Sequence, residues 1–182
     1  MRVDISEYLY HWIRAESEED AIYKLCSIIE NRKLLGGNGF IRGQHTCICF
    51  TETPMNLFHK RESRYKKFGV RFLKEHIFKK GGRPVIYQQD DEYNNLPENL
   101  KWRHVSFSPP KIDFTWEREW RLNFQELEIE PQEITFIVPH EGFGECLSTT
   151  YYTKEYRTVF SAVPVSDPYS VNQPEHFKYI VL

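Results

Sequence analysis

No stretch of this chain approaches the ~18 consecutive apolar residues that cross a bilayer, so no membrane span is expected. Cysteine is scarce and scattered, at Cys26, Cys47, Cys49 and Cys146. Cys47-Ile48-Cys49 forms a C-x-C with both thiols on one side of an expected strand. The second pair that a zinc site requires is missing, so buried reduced thiols are expected and no metal is assigned. The formal charge is only −2, which argues against a bulk electrostatic nucleic-acid binder. The sequence has no G-x-x-x-x-G-K-[ST], no G-x-G-x-x-G after a strand, no H-E-x-x-H and no G-x-S-x-G. Internal repeats and low-complexity tracts are also lacking. The start, Met1-Arg2-Val3-Asp4-Ile5-Ser6, has no charged region leading into an apolar one, so a cytoplasmic protein is the expectation.

What is present suits one domain over residues 1–182, long enough to bury a sizeable core. Aromatic residues make up 15% of the chain, which favours a β-rich core and supplies flat surfaces for a ring-bearing ligand. Charge is unevenly spread. Between Lys60 and Arg83 there are ten Lys/Arg and two Glu, a local charge of +8. Such a run can sit against nucleic-acid phosphates, but it is more often a solvated helix face or loop.

Alternation at Glu7–Arg14 predicts a first strand, with Leu9, His11 and Ile13 sharing one side, so that His11 is a satisfied core histidine, the commoner case, or one whose tip lines a cleft. Ser17-Glu18-Glu19-Asp20 is a helix start, with Ser17 as cap and acids in the first turn. Ala21, Ile22, Leu25, Ile28 and Ile29 continue at helical spacing, Arg32 and Lys33 suit the last turn, and Gly36-Gly37-Asn38-Gly39 ends it. Strands are expected at 46–51, closed by Pro54, and at 68–72, 83–88, 102–107, 134–139 and 177–182, with weaker ones at 146–152 and 158–165. Residues 73–80 read as a short helix, 55–67 as helical or irregular, and 89–100 as a loop. Strands outnumber helices and do not alternate strictly with them, so the class is α+β.

One stretch combines conflicting demands: Asp113-Phe114-Thr115-Trp116-Glu117-Arg118-Glu119-Trp120-Arg121-Leu122. It reads as a strand, or a turn running into a strand, in which period 2 puts Glu117, Glu119 and Arg121 on one face and Trp116, Arg118, Trp120 and Leu122 on the other. Large rings require burial while carboxylates require water or a partner. A conflict of this kind marks a functional site, or a strand whose glutamates pair with Arg118 and Arg121 while the tryptophans anchor it. Together with a basic residue on the first strand and the polar end Thr51-Glu52-Thr53, the E-x-E suits cleavage of a glycosidic bond at a ribose. A carboxylate there stabilises positive charge at the anomeric carbon. One E-x-E is too little to hold the metal of a nuclease. Cys49, flanked by Ile48 and Phe50, reads as buried and structural.

The layout resembles the ADP-ribosyltransferase fold, and more closely DNA-targeting ADP-ribosyltransferase toxins and AbiGi-type abortive-infection proteins. The resemblance runs over roughly residues 8–122. It is carried by Tyr10-His11-Trp12, the helix ending near Leu34-Leu35-Gly36, the strand Cys47–Met55 with its trailing proline, and Glu117-Arg118-Glu119. The run from Trp116 to Arg121 also resembles bacterial domains found in the same settings. The resemblance implies mixed or antiparallel sheets with a few flanking helices, NAD as co-substrate, and a role as toxin or antiviral defence effector. Glu119 matches the catalytic glutamate and Glu117 the substrate-orienting position. His11, or Arg14 in another register, matches the first-strand residue that grips NAD, and Thr51 and Thr53 match the polar second strand. Here the sequence departs from the family, reading T-E-T-P in place of S-T-S, and Arg42 is an alternative grip for a phosphate. The acceptor would be a protein, or nucleic acid reached through the Lys60–Arg83 run, and a cognate antitoxin protein is an implied partner. Some proteins with this fold only bind, so a non-catalytic nucleotide- or partner-binding module is the alternative.

Overall fold

Seven strands form one sheet, in the order β11-β10-β4-β1-β3-β8-β5, in a computed structural model that describes residues 5–58, 67–147 and 177–182. In chain order the strands are β1 (Tyr8–Trp12), β2 (Lys33–Leu35), β3 (Ile48–Thr51), β4 (Gly69–Leu73), β5 (Arg83–Pro84), β6 (Ile86–Gln88), β7 (His104–Ser106), β8 (Glu119–Leu122), β9 (Glu126–Glu128), β10 (Ile134–Val138) and β11 (Lys178–Val181). The helices are α1 (Glu18–Asn31), α2 (Met55–Phe58) and α3 (Lys74–Lys79), and 141–147 is also helical. Every pairing in the large sheet is antiparallel except β10–β11. Two small sheets accompany it, antiparallel β2–β9 and parallel β6–β7. The α+β class expected from the sequence is what forms.

Pleating gives the sheet two distinct faces. Leu9, Ile13, Ile48, Phe50, Val70, Phe72, Leu122, Ile134, Phe136 and Val138 face the main core, where α1 packs with Ala21, Leu25 and Ile29. Burying each of the large aliphatic side chains stabilises the fold by roughly 1.5–3 kcal/mol. The opposite face is aromatic: Tyr10, Trp12, Phe58 and Ile137 form a second cluster, with Tyr8, Met55 and Trp116 against it. Tyr10 stacks on Trp12 at 5.8 Å, Trp12 on Phe58 at 5.1 Å, and Phe58 meets Trp116 at 5.5 Å. Gly69, paired with Trp12, makes room for the indole. A Cβ there would lie 2.8 Å from its ring and 2.9 Å from the His11 carbonyl.

The helix starts as the sequence predicts, with Ser17 Oγ accepting the Asp20 amide at 3.1 Å. Its end differs. Arg32 takes the left-handed conformation (φ 50°) and closes α1, four residues before the first glycine. Lys33, Leu34 and Leu35 then pair with Glu128, Leu127 and Glu126, because buried Leu34 and Leu127 share a face that a longer helix would separate. The expected strand 83–88 is split: β5 joins β8, while β6 leaves to pair with β7. Within 89–100, expected as a loop, Asp91–Asn95 and Glu98–Arg103 are 3-10 helices, the second running on to β7. Residues 141–147 are helical where a strand was expected to begin at 146. The remainder of that strand, the strand at 158–165, and Lys60, Arg61, Arg64 and Lys66 lie outside the described residues.

Candidate functional site

Of the two readings of Trp116–Leu122, the turn running into a strand is the one that forms, and the period-2 alternation is broken at Arg118. Thr115–Glu117 is a 3-10 turn, Arg118 takes left-handed backbone (φ 46°), and the strand begins only at Glu119. The break sends the two tryptophans to opposite sides of the sheet. Trp116 joins the aromatic cluster, whereas Trp120 packs on the main core and donates its Nε1–H to Glu52 at 3.3 Å. The turn is held from below by the end of β3. Thr53 Oγ1 donates to the Trp116 carbonyl at 2.5 Å, and Thr51 Oγ1 donates to the Glu117 carbonyl. The Glu52 amide donates to the Arg118 carbonyl at 3.1 Å. Asp113 starts the turn by accepting from the Thr115 amide and hydroxyl. Thr51 and Thr53 therefore act on the backbone that presents Glu117 and Glu119.

Glu119 stands directly across β3–β8 from Thr51, and Arg121 across from Cys49. The side chains of Glu119 and Arg121 are only 14% and 5% exposed and meet at 2.7 Å. Arg121 Nη1 also donates to the carbonyls of Trp102 and His104, both at 2.9 Å. Burial works against the Arg121 charge, and the Glu119 carboxylate more than offsets it. Tyr87, from β6, accepts the Glu119 amide at 3.0 Å and donates to the Phe114 carbonyl at 3.3 Å. Its phenol is pushed up to about 12, chiefly by burial. Burial likewise raises Cys47 to about 11, and raises Cys49 further with the Glu119 carboxylate adding to the effect. Both thiols are protonated near neutrality and are poor nucleophiles.

The other expected site residues fall elsewhere. His11 lies on the main-core side, paired with Val70, and its ring edges Phe50 at 6.0 Å. Its Nδ1–H donates to the Cys49 carbonyl at 2.8 Å, where β1 and β3 part after the single pairing of Tyr10 with Thr51. Burial lowers its pKa, with the Cys49 hydrogen bond working the other way, so the ring is neutral at pH 7. Arg14 is exposed over the Phe40 ring at 5.3 Å. Arg42 donates to the Asp90 carbonyl at 2.6 Å and covers the Tyr93 ring at 4.7 Å. It lines an open groove of about 770 Å³ with Phe40, Gln44, Asp90 and Ser106. These two arginines gather beyond the N-terminal end of β3, whereas Thr51, Thr53, Glu117 and Glu119 gather at its C-terminal end. The described part of the basic run is dispersed: Lys74 pairs with Glu52, Lys79 with Glu75, Arg83 bonds the Phe78 and Gly82 carbonyls, and Arg71 sits within the sheet.

Sequence reasoning did not assign Tyr87, and it counted Arg71 only as one cation of the Lys60–Arg83 run. Nothing near Tyr87 in sequence signals a contact with residue 119. Arg121 was legible as a partner, two residues past Glu119 on the same face. Among the described residues no cluster of three or more His, Cys, Asp or Glu side chains is placed to hold a metal ion, and no helix is long and apolar enough to cross a membrane. No family model, curated protein or solved structure matches the chain.

Proposed function

We propose that the chain is an NAD-consuming ADP-ribosyltransferase acting as a toxin or antiviral defence effector, with Glu119 as the catalytic carboxylate. The observation that carries this is the pairing of Glu119 with Thr51 on a largely water-excluded sheet face also lined by aromatic rings. In the reaction the bond between nicotinamide nitrogen and ribose C1′ breaks, and nicotinamide leaves with the bonding pair. The carboxylate stabilises the cationic ribose, and an acceptor nucleophile bonds C1′ as it releases a proton. A carboxylate shielded from water interacts strongly with such developing charge. Tyr10, Trp12 and Trp116 lie on the same side of the sheet, packed in the buried aromatic cluster. The acceptor is a nucleic acid or a protein, and a cognate antitoxin is the expected partner. The test is transfer of label from NAD bearing a tag on its adenine to nucleic acid and protein of a bacterial lysate. Transfer that persists in Glu119→Gln rules out this role for Glu119.

A specific observation favours a second role, a non-catalytic binding module. Glu119 completes a buried network in which Arg121 ties β8 to Trp102 and His104. A purely structural Glu119 predicts no NAD turnover by the wild type; a lower melting temperature on its removal is expected of either role.

A further inference from the structure

The register of the large sheet aligns six side chains in one transverse row on the aromatic face. Lys178 pairs with Thr135, Thr135 with Arg71, Arg71 with Tyr10, Tyr10 with Thr51, and Thr51 with Glu119. At the Glu119 end the arginine is fully engaged, since Arg121 has a carboxylate and two carbonyls. Among the described residues Arg71 has none of these: its Nε is buried with no hydrogen-bond partner there, and its guanidinium lies over the Tyr8 ring, 4.4 Å from Cζ to the centroid. Thr135 and Lys178 make no side-chain hydrogen bond or ion pair among the described residues.

A buried guanidinium N–H without an acceptor is costly, and in native proteins such a group is explained by water or a bound anion. The stack on Tyr8 fixes the plane of the fork without satisfying its donors. On adjacent strands beside it stand a hydroxyl and then a second cation, the two cations being roughly 10 Å apart at the backbone by strand spacing. Two positive side chains flanking a hydroxyl suit an anion with several oxygens and more than one charge. We propose that Arg71, Thr135 and Lys178 form a binding site for the diphosphate group of a nucleotide. It lies on strands other than β1, which carries His11. It stands apart from Glu119, because buried Tyr10 and Thr51 fill the row between the two.

The test is isothermal titration of the full chain with inorganic pyrophosphate and, separately, with ADP. Saturable binding of either is expected in the wild type, weakened about tenfold or more in Arg71→Gln, since a charge-assisted fork is lost. Lys178→Gln, on the exposed edge strand, is expected to weaken it several-fold and serves if Arg71→Gln does not fold. Tighter binding of ADP than of pyrophosphate identifies a nucleoside diphosphate as the ligand class. Absence of binding to both ligands overturns the site, as does binding that neither substitution at 71 nor at 178 weakens. Pyrophosphate binding that persists in a protein unable to cleave NAD supports the site while ruling out the transferase activity.

Discussion

Thr51 and Glu119 are direct cross-strand partners, and Thr51 also donates its hydroxyl to the carbonyl of Glu117 in the preceding turn. One residue thus sets both where the carboxylate stands and how the turn before it is held. Thr53 shares the task through Trp116. Replacing Thr53 with valine keeps the shape and leaves a buried carbonyl without its donor. The expected loss is about 1–3 kcal/mol in urea unfolding. A change within about 0.5 kcal/mol, the range of a neutral surface substitution, would show that the turn does not depend on it.

The Glu119–Arg121 pair predicts an asymmetry between variants. Glu119→Ala leaves a charge at Arg121 that is 5% exposed, and the expected destabilisation is about 3–5 kcal/mol. The double variant Glu119→Ala, Arg121→Met removes both charges and is expected to recover part of that loss, though the Trp102 and His104 carbonyls then lose their donor. A double-mutant cycle in urea measures the coupling. Additive single effects would mean that the ion pair contributes nothing.

Gly69 is placed where Trp12 lies against β4. Gly69→Ala brings a methyl to 2.8 Å from the indole and 2.9 Å from a backbone carbonyl, so the rings stacked beyond it must shift. Overpacking of this kind is expected to destabilise by about 1–3 kcal/mol. The readout is the thermal midpoint together with the near-ultraviolet circular dichroism of the tryptophans. An unchanged signal would contradict the packing described.

His11 gives the pH dependence its sign. Its folded pKa lies below the ordinary 6.5, so the unfolded chain takes up the proton first. Its contribution to stability is present above pH 6.5 and is lost as pH falls from there through the folded value. The urea midpoint is expected to drop between pH 7.5 and pH 5.5, and to drop less in His11→Gln. Equal slopes for the two proteins would show that His11 titrates freely.

The sequence made legible those features that depend on short-range pattern. The strand around His11, the cap at Ser17 and the strand of Thr51 all form where alternation and capping chemistry put them. Glu119 and Arg121 share a face as period 2 requires. The pattern failed where a single backbone conformation resets it. Left-handed Arg32 and Arg118 end a helix and shift an alternation, and neither residue type announces that geometry. Long-range register was illegible as well. Arg71 looked like one cation in a basic run, and only its pairing with Tyr10 and Thr135 places it in a row with Glu119. His11 and Arg42, grouped with the E-x-E by chemical type, are held apart from it by the pleat and by the length of β3.

The most direct measurement is nicotinamide release from NAD by the purified chain, followed by chromatography for the wild type and Glu119→Gln, with unfolding midpoints recorded for both. The isosteric amide keeps an acceptor for Arg121 and removes the charge that would stabilise a cationic ribose. Release by the wild type, reduced about a hundredfold or more in the variant at a temperature where both proteins remain folded, is the predicted result. Equal release by the two proteins, or none from the wild type when nucleic acid and protein acceptors are supplied, would contradict a catalytic Glu119.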